Sequence, residues 1–204
     1  MYAPAHHRID DRATLVDFMR AHAFGALVTH GAAGLQATHL PILVEDEGGA
    51  LRLLAHMARA NPQWRELTSG AEVLVMFAGP HAYISPRHYE RAESVPTWNY
   101  AAVHAHGVPR LIEAAPAKHA MLEQLIALHD QDYLSRFASL SPEYLERMLS
   151  GIVAFAIDIV RLEARFKLSQ EKLPVERERI VATLEASGDT AAVETARLMR
   201  RHEP

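Results

Sequence analysis

Between Val95 and Gly107 the chain brings together a hydroxyl, an indole, an amide, a phenol and two imidazoles, on Thr97, Trp98, Asn99, Tyr100, His104 and His106. An indole N–H, an amide or a hydroxyl buried without a partner costs about 1–3 kcal/mol, so such a run is either satisfied internally or turned towards a ligand. It reads as one wall of a ligand site; the competing reading is an ordered polar loop that closes the end of a barrel. A second cluster, His56-Met57-Ala58-Arg59-Ala60-Asn61-Pro62, joins a strand end to a helix N-terminus. A guanidinium and an amide beside free backbone N–H groups there would make a cradle for a phosphate. An Arg next to a helix cap is also commonly just solvated, so the cluster does not identify a ligand by itself. Thr38 and His39 on the neighbouring strand could reach the same place, or belong to an ordinary edge strand with Pro41 at a bulge.

Two further patterns have chemical content. Tyr83 and Ser85 share a strand face and could line a planar ligand. His104-x-His106 projects two imidazoles to one side, which suits a transition metal if a third His and a carboxylate join them. Thirteen histidines are present and His81 and His88 are candidates, but no carboxylate has a suitable spacing, so no metal site is predicted. No acid–base pair stands out as catalytic.

Composition narrows the choice. At 204 residues the chain can bury one sizeable core and carry a helical appendage. Its formal charge of −4, with no long Lys/Arg block, gives direct DNA contact no support, although a basic patch formed in a dimer would escape this test. The absence of cysteine excludes disulfides, thiolate catalysis and Cys-ligated metal centres. No leader-like or membrane-spanning apolar run is visible, so a cytoplasmic protein that does not insert in membranes is expected.

The elements that must position these groups follow from periodicity and punctuation. Asp10 to His22 reads as a helix. Strands are expected over Phe24–His30, Leu35–Val44 and Leu51–Met57, with turns at Gly31–Gly34 and Gly48-Gly49. Asn61 should cap a short helix with Pro62 in its first turn. The apolar strand Val73–Phe77 should stop at a Gly79-Pro80 turn, followed by a short strand His81–Ile84 ended by Pro86. Ala101–Glu113 should be extended, with Pro109 at an edge or bulge, and Ile152–Leu168 should form a long bent or bulged strand. Helices are expected over Pro116–His129, from Ser141-Pro142, over Val175–Ala186 and over Thr190–Arg200; the first two should lie across the sheet. Six or seven strands in hairpin order suggest a small antiparallel barrel, and no Rossmann or P-loop glycine motif is present.

The segments Ala37-Thr38-His39-Leu40-Pro41, Ala58-Arg59-Ala60-Asn61-Pro62-Gln63-Trp64, Gly79-Pro80-His81-Ala82-Tyr83-Ile84-Ser85-Pro86, Val95-Pro96-Thr97-Trp98-Asn99-Tyr100 and Phe166-Lys167-Leu168-Ser169-Gln170 together resemble the PaiB family of FMN-binding negative transcriptional regulators. The resemblance runs in order along nearly the whole chain. It implies an α+β, mainly β fold: an antiparallel split β-barrel of the flavin-reductase and pyridoxamine-phosphate-oxidase type, with peripheral helices and a C-terminal helical tail. It implies a split-barrel domain over 1–170, a helical extension over 171–204, FMN as cofactor and a homodimer with flavin at its interface. Carried over by position, His56, Arg59 and Asn61, with Thr38 opposite, would form the phosphate end; His39, Tyr83, Ser85, Trp98, Asn99 and Tyr100 would stand near the ring; Lys167 and Gln170 would approach from the partner chain. A repressor is the expectation, with an FMN-dependent oxidoreductase or a haem-binding split barrel as alternatives.

Overall fold

The computed structural model describes residues 1–32 and 34–203. Ala33, within the expected turn, and Pro204, at the end of the expected extension, lie outside the described residues. Among the described residues, seven strands form one antiparallel sheet in the order β2-β1-β5-β6-β7-β4-β3. They are β1 (Phe24–Gly31), β2 (Gly34–Pro41), β3 (Leu43–Glu47), β4 (Ala50–Ala58), β5 (Val73–Ile84), β6 (Thr97–Ile112) and β7 (Ile152–Lys167). The helices are α1 (Arg12–Ala21), α2 (Ala115–His129), α3 (Leu134–Ala138), α4 (Pro142–Ser150), α5 (Pro174–Glu185) and α6 (Thr190–Arg201). The chain divides into two compact units. One holds Met19–Phe77 and Ala105–Leu162; the other holds Met1–Phe18, Ala78–His104 and the chain from Glu163 onward.

In the first unit, β1 and β2 pair from Phe24↔Pro41 to Gly31↔Gly34, and β4 pairs with β7 from Arg52↔Asp158 to Ala58↔Ile152. Helix α2 lays Met121 over Leu54, Ala154 and Ala156, with Leu43, Ile112 and Leu122 around them; two alanines on β7 leave room for a helix face. Helix α4 packs against α2. At Gly107 a Cβ would lie 2.4 Å from the Asp158 carbonyl oxygen, so only glycine lets β6 and β7 approach this closely there.

In the second unit, Phe18 of α1 meets Phe166 with ring centroids 4.9 Å apart, and Phe166 meets His202 at 5.1 Å. Helices α5 and α6 pack as a hairpin that buries Ile180, Val181 and Leu184 along with Ala192, Ala196 and Met199.

The structure corrects two sequence expectations and narrows a third. Leu35–Val44 is two strands, not one: Pro41 has no N–H to continue the ladder, and buried Ile42 donates its N–H to Ala23 O at 2.8 Å before β3 begins. Gly79-Pro80 makes no turn, and β5 runs unbroken from Val73 to Ile84. Its glycine is a packing hole, since a Cβ there would sit 2.6 Å from the Phe18 ring. Of the edge or bulge expected at Pro109, the edge is excluded, because β6 lies between β5 and β7. Strand β7 is a single 16-residue strand whose burial changes from continuous over Val153–Ile157 to alternating at Ala164 and Phe166.

Candidate functional site

Within the first unit, the end of β4 delivers His56 and Arg59 to the junction between α4 and β7. His56 is half-buried and its Nδ1 is enclosed without a hydrogen-bond partner. Burial holds this imidazole below its ordinary value of 6.5, so it is neutral at physiological pH. The Arg59 backbone N–H donates to Gly151 O at 2.9 Å, its Nε to Ser150 O at 2.8 Å and its Nη2 to Ile152 O at 3.2 Å. Cations suit carbonyls at a helix C-terminus such as that of α4. Trp64 Nε1 donates to Arg59 O at 3.1 Å, fixing the main chain from the other side. The guanidinium is exposed and, among the described residues, pairs with no carboxylate.

Asn61 does two jobs. Its Oδ1 accepts from Gln63 N at 3.0 Å, capping the 3₁₀ turn Pro62–Thr68, and its Nδ2 donates to Thr38 Oγ1 at 2.9 Å. Thr38 donates onward to Gln63 Oε1. Gln63, 1% exposed, spends its own Nε2 on Leu27 O, Thr29 Oγ1 and Gln36 O at 3.2–3.3 Å. Thr38 and Asn61 are thus brought together as expected, but in a closed network that ties the turn to the β1–β2 hairpin. The Gln63 N–H, one of the backbone donors at that helix start, is taken by the cap. His39 lies on the opposite face of β2 and stacks on Phe24, with centroids 6.0 Å apart.

Within the second unit, strand alternation splits the predicted ring-side residues between two faces. Tyr83 and Trp98 are half exposed, with rings edge to face at 6.1 Å, and His81 lies 5.6 Å from Trp98. These three make an exposed aromatic patch on β5 and β6. Tyr100 shares the Trp98 face and lies 5.5 Å under the Arg165 guanidinium. Asn99 points the other way and is wholly buried: its Nδ2 donates to Met199 Sδ at 3.4 Å and its Oδ1 accepts from Ser169 Oγ at 3.1 Å. Ser85 Oγ caps the turn Pro86–His88 through Arg87 N, and Lys167 Nζ donates to Thr97 Oγ1. Gln170 accepts from Leu168 N at 2.8 Å and donates to Phe166 O, holding the turn at Ser169, whose φ of 59° is left-handed.

Of the histidine pair considered for metal binding, His106 has its Nδ1 3.2 Å from Glu72 Oε1, which Arg161 also approaches at 3.5 Å. Sequence reading passed over Gln63, Glu176 and Arg177. The Glu176 carboxylate accepts from Glu90 N at 2.7 Å and Leu173 N at 3.1 Å, and those N–H groups hold it below the usual carboxylate range. Buried Arg177 donates to the carbonyls of Leu168, Met199 and His202. Gln63 could have been found as the residue beside a cap-and-proline pair. Arg177 sits in the alternating charges of Val175–Ile180 and gives no such signal.

A family model described as "Putative FMN-binding domain" matches residues 1–161. The chain is 36% identical over 202 residues to the "Protease synthase and sporulation protein PAI 2" of Bacillus subtilis, covering 98% of this chain and 96% of that one. It is 29% identical to an uncharacterized protein of Emericella nidulans, again over 98% of this chain and 96% of the other. Two solved structures share the fold. The flavocytochrome Anf3 of Azotobacter vinelandii has a TM-score of 0.63 at 12% identity, covering 78% of this chain and 68% of its own. An FAD- and haem-binding protein of Mycobacterium smegmatis has a TM-score of 0.62 at 16% identity, covering 79% and 73%. Among the described residues no helix is long and apolar enough to cross a membrane. With the split-barrel fold and a match along almost its entire length, the chain belongs to the PaiB-type family of FMN-binding proteins, and FMN is the cofactor that membership assigns to it.

Proposed function

We propose that this chain is a flavin-dependent negative regulator of transcription that works as a homodimer, with the FMN phosphate held by Arg59 and its surroundings. The observation that carries the phosphate assignment is the state of that guanidinium: fastened by two carbonyls, exposed, and not neutralised by a carboxylate. A positioned cation with free donors is what a dianionic phosphate requires. The unpartnered His56 Nδ1 three residues earlier is a second group in want of a polar neighbour, so the residues present fit the cofactor. Thr38 and Asn61 then serve by holding the 3₁₀ turn that follows Arg59. Tyr83 and Trp98 offer exposed aromatic surface of the kind that covers a flat ring, with half-buried Tyr100 on the Trp98 face beside them. Ser85, Asn99, Lys167 and Gln170 are assigned to shaping that surface; the bonds of Asn99 and Gln170 fit a supporting role. Bound FMN supplies reversible one- and two-electron redox chemistry.

The regulatory role is supported by the likeness to the sporulation protein, and the acidic charge balance favours action through a protein partner over a broad DNA contact. The test compares transcripts in a strain lacking the chain, restored with either the natural sequence or Arg59→Ala. The expected result is a set of transcripts that rises in the deletion and returns only with the natural sequence. No shifted transcripts, or equal restoration by both, would contradict the reading. Turnover of NADH through the bound flavin would favour the oxidoreductase instead.

A further inference from the structure

Outside the residues assigned to flavin, the N-terminal segment and the turn after β7 bring three metal-ligating groups together. Pro4 to His7 forms one 3₁₀ turn, closed by His7 N to Pro4 O at 2.9 Å, which sets two adjacent imidazoles edge to face with centroids 4.1 Å apart. The left-handed Ser169 turns the chain after β7, and Lys172 N donates to Ser169 O at 3.2 Å, so Glu171 projects from a fixed turn. One ligand atom from each of His6, His7 and Glu171 lies within 4.8 Å of the others.

His7 makes this more than a chance cluster. It is 4% exposed, and neither ring nitrogen has a hydrogen-bond partner; Nε2 stands 3.6 Å from Glu171 Oε2, beyond hydrogen-bond reach. Buried imidazoles normally satisfy at least one nitrogen. We propose that His6, His7 and Glu171 form a site for a divalent transition-metal ion of the zinc type, with its remaining coordination position open to solvent. Two imidazoles and one carboxylate are an established ligand set for such ions. Bonds of about 2.0–2.2 Å need the three atoms to close by about an ångström. The exposed His6 and the partly exposed Glu171 side chain can make that movement. Burial keeps His7 below its ordinary 6.5 and its lone pair available, with neighbouring His6 and Arg165 acting the same way and the Glu171 carboxylate opposing them. Arg165 and Lys172 also oppose a cation; the Arg165 guanidinium lies over Tyr2 and Tyr100, and the Lys172 ammonium over Tyr89. An ion here would clip the N-terminal segment to the turn after β7.

The test is calorimetric titration of the chelator-treated full chain with zinc chloride, alongside His6→Ala, Glu171→Gln and a control, His30→Ala, at an exposed position on β1. The expected result is one zinc per chain, affinity at least tenfold weaker in the first two variants, and an unchanged control. Zinc should also raise the melting temperature of the natural chain by more than that of the variants. Because both variants change exposed groups, retained circular dichroism separates lost ligation from lost folding. Absence of saturable one-to-one binding, or equal affinity in all four proteins, would overturn the proposal.

Discussion

Arg59 in the first unit and Arg177 in the second both spend their guanidinium donors on main-chain carbonyls, yet one is exposed and the other 8% exposed. Arg177 closes on the carbonyls of Leu168, Met199 and His202 and so joins the end of β7 to α6. Arg59 is anchored on one side and keeps donors and charge facing water. The same side chain is a staple where carbonyls surround it and, on the function proposed above, a receptor where they hold only one edge.

This contrast is easiest to break at its buried member. Arg177→Ala should cost about 3–5 kcal/mol, because it strands carbonyls that had charge-assisted partners in a dry setting. Urea unfolding measures it, and a loss below about 1 kcal/mol would show that the guanidinium is not the staple. Gln63→Leu, which removes the hub of the other polar network, should cost about 2 kcal/mol by the same measurement. An unchanged midpoint would mean that Thr38 and Asn61 hold the turn without it.

Protonation sharpens the comparison further. His56 in the first unit and His88 and His202 in the second are each held below 6.5 chiefly by burial. Below 6.5 the unfolded chain then binds more protons than the folded one, so stability is complete above that pH and is lost as pH falls through the lower folded values. Each group contributes at most about 1.4 kcal/mol per pH unit in that window. The urea midpoint should fall between pH 7.5 and 5.5, and His56→Leu should shallow the slope; a flat profile would contradict burial as the cause. The smallest expected effect is Asn61→Ala, about 1 kcal/mol for a lost cap.

How far the sequence revealed these features depended on how local their causes are. The Asn61-Pro62 and Ser141-Pro142 helix starts were legible because each cap bonds an N–H two or three residues away. The Gly79 packing hole was not, since its reason is Phe18, on a different element. At the candidate site, the grouping of Thr38 with Asn61 could be anticipated from neighbouring motifs. The inward direction of Asn99 could not, because its partners Ser169 and Met199 lie 70 and 100 residues further along. A strand's period tells which residues share a face, but only the packed partners decide which face is inside.

On the function proposed above, a single un-neutralised guanidinium recognises the phosphate of the flavin. Titrating the natural chain and Arg59→Ala with FMN and with riboflavin tests it most directly, since the two ligands differ only in that phosphate. The substitution should weaken FMN at least tenfold and leave riboflavin affinity within about twofold. Equal weakening of both, or no weakening of FMN, would place the phosphate elsewhere.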